Sequence, residues 1–117
     1  MNCEELIEGS YQADDMPSTQ KVKPLSQNRI RAITVKLDIN IQQIRGILDS
    51  PDFSGESDEP ENCINEIRNI LLLGSYHCID ALISKDLIAV LVDLFFRTEH
   101  EIIRYEALWC LVNATST

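Results

Sequence analysis

From residue 39 onward the apolar positions follow the step of an α-helix. Ile41, Ile44, Ile47 and Leu48 recur three, three and one residues apart and Pro51 stops the run, which predicts a helix over roughly 39–49. Residues 50–61 carry five acids, no base, one Gly and two Pro, the composition of a solvated loop. Cys63, Ile64, Ile67, Ile70, Leu71 and Leu73 then form the apolar face of a second helix. Pro60 falls in its first turn with Ser57 or Asp58 as cap, and Gly74 is placed to end it in the left-handed conformation. A short helix is predicted from about Tyr76 to Lys85, with Ile79, Leu82 and Ile83 inward. Asp86 interrupts the pattern, and Leu87, Val90, Leu91, Leu94 and Phe95 mark a further helix running to Arg97.

The last helix carries the most information. Thr98 followed three residues later by Glu101 reads as a capping box, in which each side chain satisfies a backbone N–H of the first turn. At about 100° per residue, Ile103, Ala107, Cys110, Leu111 and Ala114 share one apolar sector, with Leu108 and Val112 as a second apolar edge. Trp109 and Asn113 stack one turn apart on the side away from that core sector, flanked by Glu106. A helix with a single buried stripe does not place its largest ring there. A helix in a stacked array, which meets neighbours on two sides and offers a third to a ligand, does.

Laid against itself, the chain repeats. At an offset of 47, Ile41, Ile44, Ile47 and Leu48 coincide with Ile88, Leu91, Leu94 and Phe95; at an offset of 40, Cys63, Ile67, Ile70 and Leu71 coincide with Ile103, Ala107, Cys110 and Leu111. A helical repeat of about 40–47 residues is the mark of armadillo or HEAT arrays.

Upstream, residues 1–28 combine Glu4, Glu5, Glu8, Asp14 and Asp15 with Pro17, Pro24 and few large apolar side chains, which predicts a disordered acidic tail. The interleaved basic and apolar residues of 28–37 fit a short amphipathic helix or a strand, since the β-branched run Ile33-Thr34-Val35 lowers helix propensity. The net charge of −9 argues against nucleic acid and suits a basic partner. Cys3, Cys63, Cys78 and Cys110 are widely spaced and no apolar signal segment precedes them, so they read as reduced thiols in a cytoplasmic or nuclear protein, and Asn113-Ala114-Thr115 as a fortuitous glycosylation match. No apolar run approaches the ~20 residues of a membrane span. No nucleophile context, phosphate loop or zinc spacing points to an enzyme or a metal site.

Glu106-Ala107-Leu108-Trp109-Cys110-Leu111-Val112-Asn113 resembles the third helix of the armadillo repeats of the importin-alpha family, the adaptors that carry nuclear localisation signals. Ile79-Asp80-Ala81-Leu82-Ile83-Ser84-Lys85-Asp86-Leu87-Ile88 is similar to that family's first helix, turn and start of second helix. The resemblance implies an all-α fold, a short right-handed armadillo solenoid of about one and a half repeats. Residues 1–38 would be the disordered acidic tail, 39–75 a partial first repeat and 76–117 a repeat bearing the Trp/Asn pair. It implies nuclear import as the function, without a cofactor, with a basic Lys/Arg-rich peptide on the concave face contacted by Trp109, Asn113 and Glu106. Arg29, Arg31 and Lys36 would be a remnant of the arm that binds importin-beta. The first unit departs from the family in offering Asn69 and Leu73 at the paired positions, and Asp86 stands where the family has Gly in the turn. With fewer than the roughly three repeats such arrays need, the chain is expected to be marginal alone, to self-associate through the open Leu108/Val112 edge, or to be a truncated form of a longer solenoid with reduced or lost cargo binding. The alternative is a generic armadillo interaction module that docks another helical protein on that edge and recognises no cargo.

Overall fold

The computed structural model describes residues 25–115. They form four α-helices and no strand: α1 (Gln27–Asp49), α2 (Glu61–Tyr76), α3 (Lys85–Arg97) and α4 (Glu101–Thr115), with one 3-10 turn at Asp80–Leu82. Of the expected tail, residues 1–24 lie outside the described residues, whereas 27–38 belong to α1.

α1 therefore starts a dozen residues earlier than its C-terminal apolar stripe indicates. The Ser26 hydroxyl caps it, accepting the Arg29 N–H at 3.2 Å. Ile33, Leu37, Ile41, Ile44 and Leu48 are all buried at steps of four and three residues, so one stripe runs through the stretch that propensity leaves open between helix and strand. Burial of that stripe outweighs the few tenths of a kcal/mol that each β-branched residue forfeits. The polar residues along it are satisfied locally: Thr34 donates to the Ile30 carbonyl at 2.8 Å, and the buried Asn40 amide to the Lys36 carbonyl at 2.9 Å. Arg29, Arg31 and Lys36 are consequently exposed positions on a helix rather than part of an extended arm, and Lys36 lies 3.2 Å from Glu66 of α2.

The junction after α2 differs from expectation in a second way. Gly74 lies within the helix, and the left-handed residue is Cys78, with φ 57°. The Ile79 N–H bonds the Gly74 carbonyl at 2.7 Å and the Cys78 N–H bonds the Ser75 carbonyl at 3.2 Å, the paired bonds of a Schellman stop. Gly74 instead lies under the 3-10 turn packed against α2, where a Cβ would stand 2.6 Å from Leu82 Cδ1 and force that buried side chain to shift. The helix expected over 76–85 is thus the end of α2, the stop and this turn. Asp86 does not interrupt anything. Ser84 caps α3 by accepting the Leu87 N–H at 3.1 Å, and Asp86 sits in the first turn, where a negative charge is favourable.

The acidic loop 50–61 is docked, not solvated throughout. Phe53 packs on the core with the Arg97 guanidinium 5.2 Å from its ring centre, and Pro60, just ahead of Glu61, is buried. The Gly55 carbonyl accepts from the Glu99 N–H at 2.6 Å and from the Thr98 hydroxyl at 3.3 Å. Thr98 is the C-cap of α3, and its hydroxyl accepts the His100 N–H at 3.1 Å. α4 still begins at Glu101, but Thr98 stitches the two inter-helix connections together rather than forming a capping box with Glu101.

Each hairpin is one layer. α1 packs against α2 and α3, and α4 against α2 and α3, so the α1–α2 hairpin stacks on α3–α4 with α1 beside α3 and α2 beside α4. Ion pairs follow the same ring: Lys36–Glu66 between α1 and α2, Arg45–Asp93 at 2.7 Å between α1 and α3, and Arg68–Glu106 at 3.1 Å between α2 and α4. Burial preserves the offset of 40 between α2 and α4, where Cys63, Ile67, Ile70 and Gly74 match Ile103, Ala107, Cys110 and Ala114, all buried. Between α1 and α3 it moves the offset to 46: Ile41, Ile44 and Leu48 occupy the environment of Leu87, Val90 and Leu94.

Candidate functional site

Trp109, Asn113 and Glu106 do share one side of α4, and that side looks toward α2. Trp109 is half-buried against the rim of the core rather than standing free. The residue that covers it is Arg68, the only base on α2: its guanidinium carbon lies 4.8 Å from the indole ring centre, and its Nε is 3.1 Å from Glu106 Oε1. Neither of these two atoms is reached by solvent and neither meets hydrogen-bond geometry, so they attract as charges at contact distance without an aligned bond. A cation over an indole contributes about 0.5–2 kcal/mol and a partly exposed ion pair about 0–1 kcal/mol, so the cluster is a modest clamp between the layers. An aromatic face and a carboxylate side by side form a receptor for a cationic side chain, and here the chain supplies one.

Sequence reasoning missed Arg68. The available signal was its isolation: a single base on an otherwise apolar and acidic helix, one position before the residue that aligns with Trp109 at the offset of 40.

Asn113 is exposed at the end of α4, and its Nδ2 donates to the Trp109 carbonyl at 2.8 Å, which uses one of its two amide protons. It also borders a cavity of about 300 Å³ between the end of α2, the 3-10 turn and α4, with Leu71, Ile79 and Leu82 as apolar wall and Ser75, Asp80 and Cys78 among its polar lining. Beyond it, Tyr105, Leu108 and Val112 form an exposed apolar stripe at steps of three and four, 65%, 45% and 54% accessible.

The two buried thiols are held in the protonated form. Cys63 donates to Gln43 Oε1 at 3.3 Å, and burial, aided by Glu66, raises its pKa. Cys110 lies beneath the cluster; burial first, then Glu106, pushes its thiol up to about 12 against a smaller opposing pull from Arg68, so it stays protonated at neutral pH. Cys78 is exposed, and Cys3 lies outside the described residues. Among the described residues no group of His, Cys, Asp and Glu is gathered for a metal ion, and no helix is long and apolar enough to cross a membrane.

No protein-family model, no curated protein and no solved structure matches this chain.

Proposed function

We propose that the chain is a short armadillo-type module that binds basic, Lys/Arg-rich peptide segments of other proteins along the α2–α4 side, in the manner of an importin-alpha-like adaptor working between cytoplasm and nucleus. The reading is carried by one observation: Trp109 and Glu106 of α4 together hold a guanidinium, that of Arg68. The stacking of α1 on α3 and of α2 on α4, the latter pair keeping the offset of 40, supports the armadillo reading. Asn113 beside the indole has an amide suited to an extended peptide backbone. Binding needs no catalysis and no cofactor. Arg29, Arg31 and Lys36 on α1 are the positions at which importin-beta would be sought.

Trp109 is the only tryptophan, so its fluorescence reports directly on a titration with a Lys/Arg-rich peptide. Saturable binding that weakens as salt rises, and that calorimetry no longer detects with Trp109→Ala, is the expected result. Absence of binding at low salt sinks the cargo reading. A second reading then takes its place, an interaction module that docks another helical protein, or a second copy, on the Tyr105/Leu108/Val112 stripe. Such docking buries apolar surface and is insensitive to salt.

A further inference from the structure

We propose that Arg68 is an internal competitor for the cation site, so that a basic ligand binds by displacing it, a role that rests on the cargo reading above. Every element a ligand cation would use is engaged: the indole face by the guanidinium at 4.8 Å, and the Glu106 carboxylate by Nε at 3.1 Å. The occupant is held imperfectly. Arg68 Nε and Glu106 Oε1 are shut off from water yet lack an aligned hydrogen bond, so each keeps part of its desolvation penalty. A ligand guanidinium or ammonium, free to choose its approach, makes the aligned charge-assisted bond that Arg68 does not. Arg68 has room to leave, because its side chain is 38% accessible while that of Glu106 is 15%.

The consequence is quantitative. A site open for only a fraction of the time binds with its intrinsic Kd divided by that fraction. If Arg68 occupies the ring nine-tenths of the time, its removal tightens peptide binding about tenfold.

The test pairs Arg68→Gln, which keeps the methylene stem and a polar end without the charge, with Arg68→Ala, each checked for native circular dichroism and titrated with the same Lys/Arg-rich peptide. Lys85→Gln, the same charge change at an exposed site at the start of α3, controls for net charge. Acrylamide quenching of Trp109 without peptide reports whether the ring has been bared. The expected result is stronger quenching and about tenfold tighter, salt-sensitive binding in both Arg68 variants, with Lys85→Gln within twofold of wild type and the gain abolished by adding Glu106→Gln. Equal affinity of wild type and Arg68→Gln would overturn the competitor role and leave the cargo reading intact. Unchanged quenching would overturn it too, by showing that Arg68 does not cover the ring in solution. A bared Trp109 that binds no peptide would overturn both readings together.

Discussion

α2 and α4 bury the same inward pattern, and they differ on the sides where their neighbours differ. Their inward positions match at an offset of 40 and are buried in both. On the side turned to the next layer they part company: Ile64 and Leu71 of α2 are buried, whereas their counterparts Arg104 and Leu111 are exposed and partly exposed, and Leu108 lies open where Arg68 reaches across to α4. α2 is enclosed by α1 on one side and α4 on the other, while α4 has α2 and α3 but nothing on its far side among the described residues. Burial of a helix face in a layered fold is thus a property of the neighbour as much as of the face. Leu108 therefore lies open, beside Tyr105 and Val112, whose counterparts on α2, Asn65 and Leu72, are exposed as well.

The sharpest way to break this comparison is to truncate a covered apolar side chain of α2 and an open one of α4. Leu71→Ala removes a side chain that is 6% accessible and should destabilise the fold by about 2–5 kcal/mol in urea unfolding, whereas Val112→Ala, at 54%, should stay within about 0.5 kcal/mol. Comparable losses at the two positions would mean that α4 is covered in solution.

A smaller contrast lies at the matched pair Gly74 and Ala114. Gly74→Ala drives a methyl to 2.6 Å from Leu82 Cδ1 and should cost about 1–3 kcal/mol, a fall of several degrees in Tm by calorimetry, despite the higher helix propensity of alanine. Ala114→Gly leaves its environment uncrowded and should lose only about 1 kcal/mol of helix propensity. A stabilised Gly74→Ala would show that the 3-10 turn yields freely.

The stop after α2 has a signed prediction. Cys78 holds φ 57° without being glycine, so Cys78→Gly should stabilise the protein by about 1 kcal/mol, read as a higher urea midpoint at unchanged slope. A loss of stability there would mean that the exposed thiol makes a contact worth more than the strain.

The smallest effect on folding is expected at the open stripe. Leu108→Ser should change unfolding free energy by less than about 0.5 kcal/mol. If the stripe docks copies of the chain, light scattering should show that substitution shifting the protein toward monomer. A monomer in both forms would leave the stripe as surface only.

Much of this architecture was legible in the sequence. The two stripes at an offset of 40 identified α2 and α4, and the placement of Trp109, Asn113 and Glu106 on one side of α4 followed from 3.6-residue periodicity alone. α1 was read short because the β-branched run was weighed above a stripe that Ile33, Leu37 and Ile41 already marked; burial of a long amphipathic face outweighs propensity. Gly74 was read as a helix stop, the commonest local reason for glycine near a helix end, when the cause was a side chain eight residues ahead. Thr98 was read as a capping residue because its partners on the loop around Gly55, 43 residues away, have no local signature.

By itself the sequence determined that the stretches around 41–48, 63–73, 87–97 and 101–113 are helical, that Cys63, Ile67 and Ile70 face inward like Ile103, Ala107 and Cys110, and which three polar and aromatic side chains gather on α4. These depend on the fixed geometry of the helix, which relates neighbours a few residues apart. The stacking of the hairpins, the docking of the acidic loop and the occupation of Trp109 and Glu106 by Arg68 were decided only by tertiary structure. Each joins groups tens of residues apart, and whether a cationic side chain finds an indole and a carboxylate depends on how two helices are set side by side, which no periodicity along one of them encodes.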